Sequence, residues 1–171
     1  AGRHQIRIAW FNRTDKAELE LAYEGAGQFR RKIPDSALFR SQTDTSTGAT
    51  HLVNGLDYRC CEGMWWNILP DLNHLPAVKS GVVSNFTLEV ASRPEHVGLQ
   101  FSGYLHVGQD ADYTFHLKSD DGSRLFIGEP SLRVTTLGPA PLPAPRPIGG
   151  GASAPAPGDY QWSEVEGTVT S

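Results

Sequence analysis

Apolar and polar residues alternate with a period of two along several stretches of this chain. Residues 4–11 read HQIRIAWF, which puts Ile6, Ile8 and Trp10 on one side and Arg7, Ala9 and Phe11 on the other. In residues 17–23, AELELAY, Leu19, Leu21 and Tyr23 face one way and Glu18 and Glu20 the other. Both are strand periods, and neither fits a 3.6-residue helical repeat. The polar run Asn12–Lys16 between them predicts a hairpin loop. Further on, VGLQFSGYLHV at 97–107 places Val97, Leu99, Phe101, Leu105 and Val107 on one face. A polar turn at 108–112 leads to YTFHLK, where Tyr113, Phe115 and Leu117 share a face. Asp120-Asp121-Gly122 is a sharp turn signal before a return strand, RLFI at 124–127. FTLEV at 86–90 also alternates, and Pro34–Ala37 has the start of a single helical turn. Strands recurring every ~8–12 residues predict an all-β antiparallel sandwich or barrel, not a βαβ fold.

The intervals are as informative as the strands. Residues 41–54 open with a Ser/Thr/Gly-rich stretch that reads as a linker, and a second block begins at Gly55. Residues 138–158 are rich in proline and glycine, an extended linker that supplies no core. Residues 159–171 then read as a tail or the start of a following domain. The chain is thus divided into blocks 1–40, 41–54, 55–137, 138–158 and 159–171.

Charge narrows the function. The 171 residues carry 15 Lys and Arg against 19 Asp and Glu, for a net charge of -4, and the cations form no stripe. A nucleic-acid partner is therefore not expected. No apolar run approaches the ~18 residues of a membrane span, so no membrane insertion is expected. The two cysteines, Cys60 and Cys61, are adjacent and read as separate thiols on opposite faces of one strand. The six histidines have no metal-ligand spacing, and His106 and His116 fall on the polar side of their strands.

The run GYLHVGQDADYTFHLKSDDGSRLFIG, from Gly103 to Gly128, resembles the signature of the protective-antigen-type lectin-like domains, the PA-fourteen family. Segments from Gly55-Leu56-Asp57-Tyr58 through Leu69-Pro70 to Val82-Val83 resemble the family's opening strand and first loops. Residues 2–40, GRHQIRIAWFNRTDKAELELAYEGAG followed later by IPDSALF, resemble its closing strands, so the family's end precedes its beginning. Two arrangements fit this order. One is a circularly permuted single domain; the other is the tail of one copy joined to the front of the next. The second would expose unpaired sheet edges.

The resemblance also implies a site. In sugar-binding members, two consecutive aspartates joined by a cis peptide hold a calcium ion, and Asp120 and Asp121 match that position. An asparagine from a later loop joins them, and Asn12 matches it. Arg13, Asp15 and Lys16 would then line a sugar pocket, with Trp65 and Arg124 as further sugar contacts. Calcium prefers hard oxygen ligands, which suits this donor set. The same Asp-Asp-Gly is also good turn chemistry without any metal. Asn12-Arg13-Thr14 and Asn85-Phe86-Thr87 are N-x-Thr sequons as well. Glu18 and Glu20, about 7 Å apart on one strand face, read as a solvated hairpin face rather than a glycosidase pair.

The expectation is a non-enzymatic, calcium-dependent carbohydrate-binding module of a multidomain secreted or cell-surface protein, with a glycan or polysaccharide as partner. The alternative is a structural or protein-interaction spacer without metal or sugar.

Overall fold

The computed structural model describes residues 1–128. The fold is all-β and antiparallel. The first strand, β1 (Gly2–Asn12), lies inside a seven-stranded sheet between two partners from the far end of the described chain. On one side it pairs along its full length with β8 (Val97–Val107); on the other it pairs with β10 (Gly122–Ile127). Residues 2–43 and 50–127 therefore contribute strands to the same sheet. β8 is the hub. Its far edge pairs first with β6 (Leu56–Glu62) and then with β4 (Leu38–Thr43). β7 (Ala77–Val83) extends the sheet beyond β6, and β5 (Thr50–Asn54) extends it beyond β4. A second sheet of three strands has β2 (Leu19–Gly25) between β3 (Gln28–Lys32) and β9 (Tyr113–Ser119).

The alternating residues explain why two sheets form. Ile6, Ile8 and Trp10 of β1 and Val97, Leu99, Phe101 and Leu105 of β8 point to the same interior as Leu21 and Tyr23 of β2. Phe115 and Leu117 of β9 pack against that cluster. Each fully buried side chain of this size contributes about 1.5–3 kcal/mol. Here the structure corrects the expected hairpins. The links at 12–18, 108–112 and 119–122 all join a strand of one sheet to a strand of the other. A flat hairpin would leave two apolar stripes side by side on one face; crossing between sheets sets them face to face across the core.

The interval 41–54 is a β4–β5 hairpin and not a linker. Thr43 and Thr50 oppose each other with their hydroxyls 3.1 Å apart. The tip is closed by the Asp44 carboxylate, which accepts from Ser46 N (2.7 Å) and Thr47 N (3.3 Å). Both strands are largely exposed, so polar residues suffice on both faces. Residues 86–90 also depart from expectation. Leu88–Val90 is a 3-10 turn whose N-cap Thr87 accepts from Glu89 N. Phe86, Leu88 and Val90 nevertheless reach the core, with Phe86 edge-on to Phe101. The expected helical turn is present as a 3-10 turn at Asp35–Ala37 behind Pro34.

Glycine fixes the crossing at the hub. A Cβ on Gly103 would lie 2.4 Å from the Phe39 carbonyl oxygen and 2.7 Å from Leu56 Cδ2. No other residue lets β4 and β6 share the same edge of β8.

A smaller core sits on the outer face of the large sheet. Residues 63–76 cross that face and press Leu72 against Ala9 and Cys61, with Trp66, Leu69 and Leu75 around them. This covering explains why β1 is buried on both sides from Ile8 onward. Cys60 points to the main core and Cys61 to this one, both free and buried. His106 is exposed and His116 half-buried. No helix among the described residues is long and apolar enough to cross a membrane. The expected linker 138–158 and segment 159–171 lie outside the described residues.

Candidate functional site

Two links between the sheets are forced side by side by the strand pairing. β1 ends opposite the start of β10, with Phe11 across from Gly122. β2 starts opposite the end of β9, with Leu19 across from Ser119. The link 12–18 must therefore run along the link 119–122. Two hydrogen bonds join them: Arg13 N donates to Asp121 Oδ2 at 2.6 Å, and Asp120 N donates to Glu18 O at 3.3 Å. Trp10 Nε1 also donates to Glu18 O, at 2.9 Å, anchoring the far end of the first link to the core.

Asn12 sits at the head of this link and is 0% exposed. Its Nδ2 donates to Pro94 O at 2.7 Å, while its Oδ1 is buried and has no hydrogen-bond partner. A carbonyl oxygen buried this way costs about 1–3 kcal/mol unless something donates to it or coordinates it. Burial this complete also leaves no room for a glycan on the Asn12 sequon. At the second sequon, Asn85 Nδ2 is already bound to Ile33 O and Asp35 Oδ1.

The remaining residues of the link tie it to two other loops. Arg13 Nη1 donates to Asn67 Oδ1 at 2.8 Å, Arg13 O accepts from His96 N, and Asp15 N donates to Glu95 Oε1 at 3.1 Å. Asp15 holds a left-handed backbone, φ 67°. Lys16 turns away from the aspartates to Glu18, which also takes Lys118 at 2.6 Å. These two ammonium groups, Lys118 foremost, hold the Glu18 carboxyl below its ordinary range, and Glu18 in turn raises Lys118.

The adjacent loop holds two tryptophans with opposite fates. Trp66 packs edge-on against Phe11, 6.4 Å between ring centres, in the outer core. Trp65 is 80% exposed and adopts φ 67°, a conformation that L side chains rarely take. Arg124 lies opposite Ala9 on the outer face of β10 and makes no hydrogen bond or ion pair with Asp120 or Asp121.

Thus Asn12, Arg13, Asp120 and Asp121 come together, with Asn67 and the 93–96 segment as neighbours that the sequence did not signal. Lys16 and Arg124 face elsewhere. The Asp120–Asp121 peptide is trans, as are all those among the described residues, in place of the expected cis bond. Trans is the form favoured by ~3–4 kcal/mol for a non-proline bond.

The donor set fits a hard cation in kind. Two exposed carboxylates and one unpartnered buried amide oxygen are all oxygen ligands, as calcium prefers. No group of three or more His, Cys, Asp or Glu gathers for a metal among the described residues. The 6–8 oxygens that calcium takes would therefore be completed by backbone, water or ligand hydroxyls.

Searches against curated proteins and against solved structures gave no match. A family model does match, that of the PA14 domain, over residues 79–133. This span starts in β7, runs through β8 and β9, and contains Asp120, Asp121 and Arg124. Residues 79–133, set in an all-β antiparallel fold, thus match the model of the same PA14 domain family that the run Gly103–Gly128 resembles.

Proposed function

We propose that the chain is a non-catalytic carbohydrate-binding module of an extracellular, multidomain protein, in which Asp120, Asp121 and Asn12 hold a calcium ion. The PA14 family is of the carbohydrate-binding, lectin-like kind, which supports the coarse reading. The finer one is carried by a single observation: Asn12 Oδ1 is fully buried without a donor, beside a link that bonds to Asp121. An asparagine that only needed to hold Pro94 O would not have to leave its own oxygen unpaired. Calcium, when bound, would supply a positive centre for vicinal sugar hydroxyls. Arg13 N fixes one Asp121 oxygen, and Asn67 steadies the Arg13 side chain. Trp65, two residues before Asn67 in the chain, offers an exposed aromatic face on which a sugar ring would stack.

On this reading the family's closing strands precede its opening ones, in permuted order within one domain. β1 between β8 and β10 supports that arrangement. Glu18 is ill suited to be a general acid: that role needs a raised pKa, and two lysines lower this one.

The test is a thermal melt in millimolar calcium against chelator, followed by a glycan array. The expected result is an upward shift in calcium that Asp121→Ala abolishes, with calcium-dependent glycan binding. No shift in the unaltered protein would discard the metal site and favour a spacer or protein-interaction module.

A further inference from the structure

The outer face of the large sheet carries a second hollow, distinct from the aspartate links. Outward positions of β10, β1 and β8 form its floor, with Ala9 between Arg124 and Gln100 in register. Ala9 is small, and the segment 69–73 rises as a wall beside it. The result is a groove of about 300 Å³. That is the lower end of the roughly 300–1,000 Å³ of ligand pockets, enough for one small ring.

Its chemistry is cationic. Arg7 and Arg124 both line it, and neither has a carboxylate partner among the described residues. Arg7 is held in place by the ring of Phe126, with its guanidinium carbon 4.1 Å from the ring centre. Stacking orients the guanidinium and leaves its edge N–H groups free. The one acid in the wall, Asp71, is already engaged. Its Oδ1 accepts from Asn73 N and Nδ2, and its Oδ2 contacts His74 Nδ1. Those bonds, the Asn73 backbone first, keep Asp71 ionised below the ordinary carboxylate range but turned to its own loop. Gln100 Nε2 donates to Asn73 Oδ1, so Gln100 keeps an oxygen for a hydroxyl donor.

Two guanidiniums, that of Arg7 oriented by its stacking, beside a free amide oxygen suit a carboxylate attached to a hydroxylated ring. We infer that this groove is an anion-recognising subsite that takes an acidic sugar residue, of the uronic-acid class, by its carboxylate. The inference rests on the carbohydrate reading for the nature of the ligand, but not on calcium or on Asp120 and Asp121.

The test titrates the full chain with glucuronate, glucose, acetate and a glutamate-rich peptide, following the side-chain Nε–H signals of arginine by NMR. Glucuronate is expected to shift Arg7 and Arg124 saturably, at least tenfold more tightly than glucose or acetate. Arg124→Gln and Arg7→Gln should each weaken it tenfold or more, Arg124→Gln without lowering the melting temperature and Arg7→Gln with only the small loss of its stacking on Phe126. The same shifts should appear in chelator and in Asp121→Ala. Acetate binding as well as glucuronate would reduce the groove to a bare anion patch and overturn the inference. So would tighter binding of the peptide, no shift with glucuronate, or unchanged affinity in both arginine variants. Glucuronate binding with no calcium response would leave the groove standing and remove the aspartate site; the reverse pattern would remove only the groove.

Discussion

Replacing Asn12 by alanine separates the two roles of that side chain. In chelator the variant loses the 2.7 Å bond from Nδ2 to Pro94 O. A bond of this kind contributes about 1 kcal/mol net, and the abandoned carbonyl adds up to about 1–3 kcal/mol. Against that, the variant removes a buried Oδ1 with no partner, whose penalty is of the same about 1–3 kcal/mol. The two desolvation costs offset, so the net loss is about 1 kcal/mol, or roughly 2–6 °C in melting temperature for a domain of this size. In calcium the balance changes. At a hundred times Kd, the unaltered protein gains about 2.7 kcal/mol by mass action. The variant, short of one protein ligand, gains little, and the gap widens to about 3–4 kcal/mol. Equilibrium unfolding in denaturant, run in calcium and in chelator, measures both gaps. Equal gaps in the two conditions, with the unaltered protein stabilised by calcium, would show that Asn12 is no ligand. A gap well above 3 kcal/mol in chelator would refute the bookkeeping itself, because Oδ1 would then have to be satisfied in the free protein.

Leu72→Ala should cost about 2–5 kcal/mol, since the side chain is 1% exposed between Ala9 and Cys61. Hydrogen exchange should show residues 63–76 opening while β2 and β9 stay protected. The thiols of Cys60 and Cys61 should react with a disulfide reagent only on unfolding; both are buried, and desolvation raises Cys61 further from its reactive thiolate. Acid should loosen the β4–β5 tip. Asp44 is held below its ordinary pKa, first by the Ser46 hydroxyl and then by the Ser46 and Thr47 amides. Its contribution is complete above the unfolded value of about 3.9 and is lost as pH falls through the lower folded value. Amide shifts of Ser46 and Thr47 that titrate above pH 4 would contradict this.

The strands legible in the sequence are those with one dry face. Ile6-Ile8-Trp10, Leu19-Leu21-Tyr23 and Val97-Leu99-Phe101 all alternate because one side meets the core. β3 was silent for the opposite reason: Gln28–Lys32 is exposed throughout, and Phe29 is 93% exposed, so no period is imposed. Residues 41–51 failed in the same way, as an edge hairpin in which Thr and Ser serve on both faces. The sheet-crossing links leave no mark in the sequence because alternation records which face is dry, and is blind to whether the next strand lies beside or across. The bond from Arg13 N to Asp121 has no local signal at all. It follows from β1 pairing with β10 and β2 with β9. Nothing in Asn67 or Pro94 marks them as neighbours, because a backbone carbonyl and one loop amide carry no pattern.

The position of β1 has a kinetic consequence. Gly2 pairs with Val107 and Ile6 with Ile127, each more than a hundred residues onward. Closing such long loops costs entropy before any contact rewards it, so folding should be slow and its contact order high. During synthesis the stripe Ile6-Ile8-Trp10 leaves the ribosome well before β8 and β10 and waits for them to appear. Arg3 and Arg7, charged residues within that strand, then act as guards against mispairing with other chains.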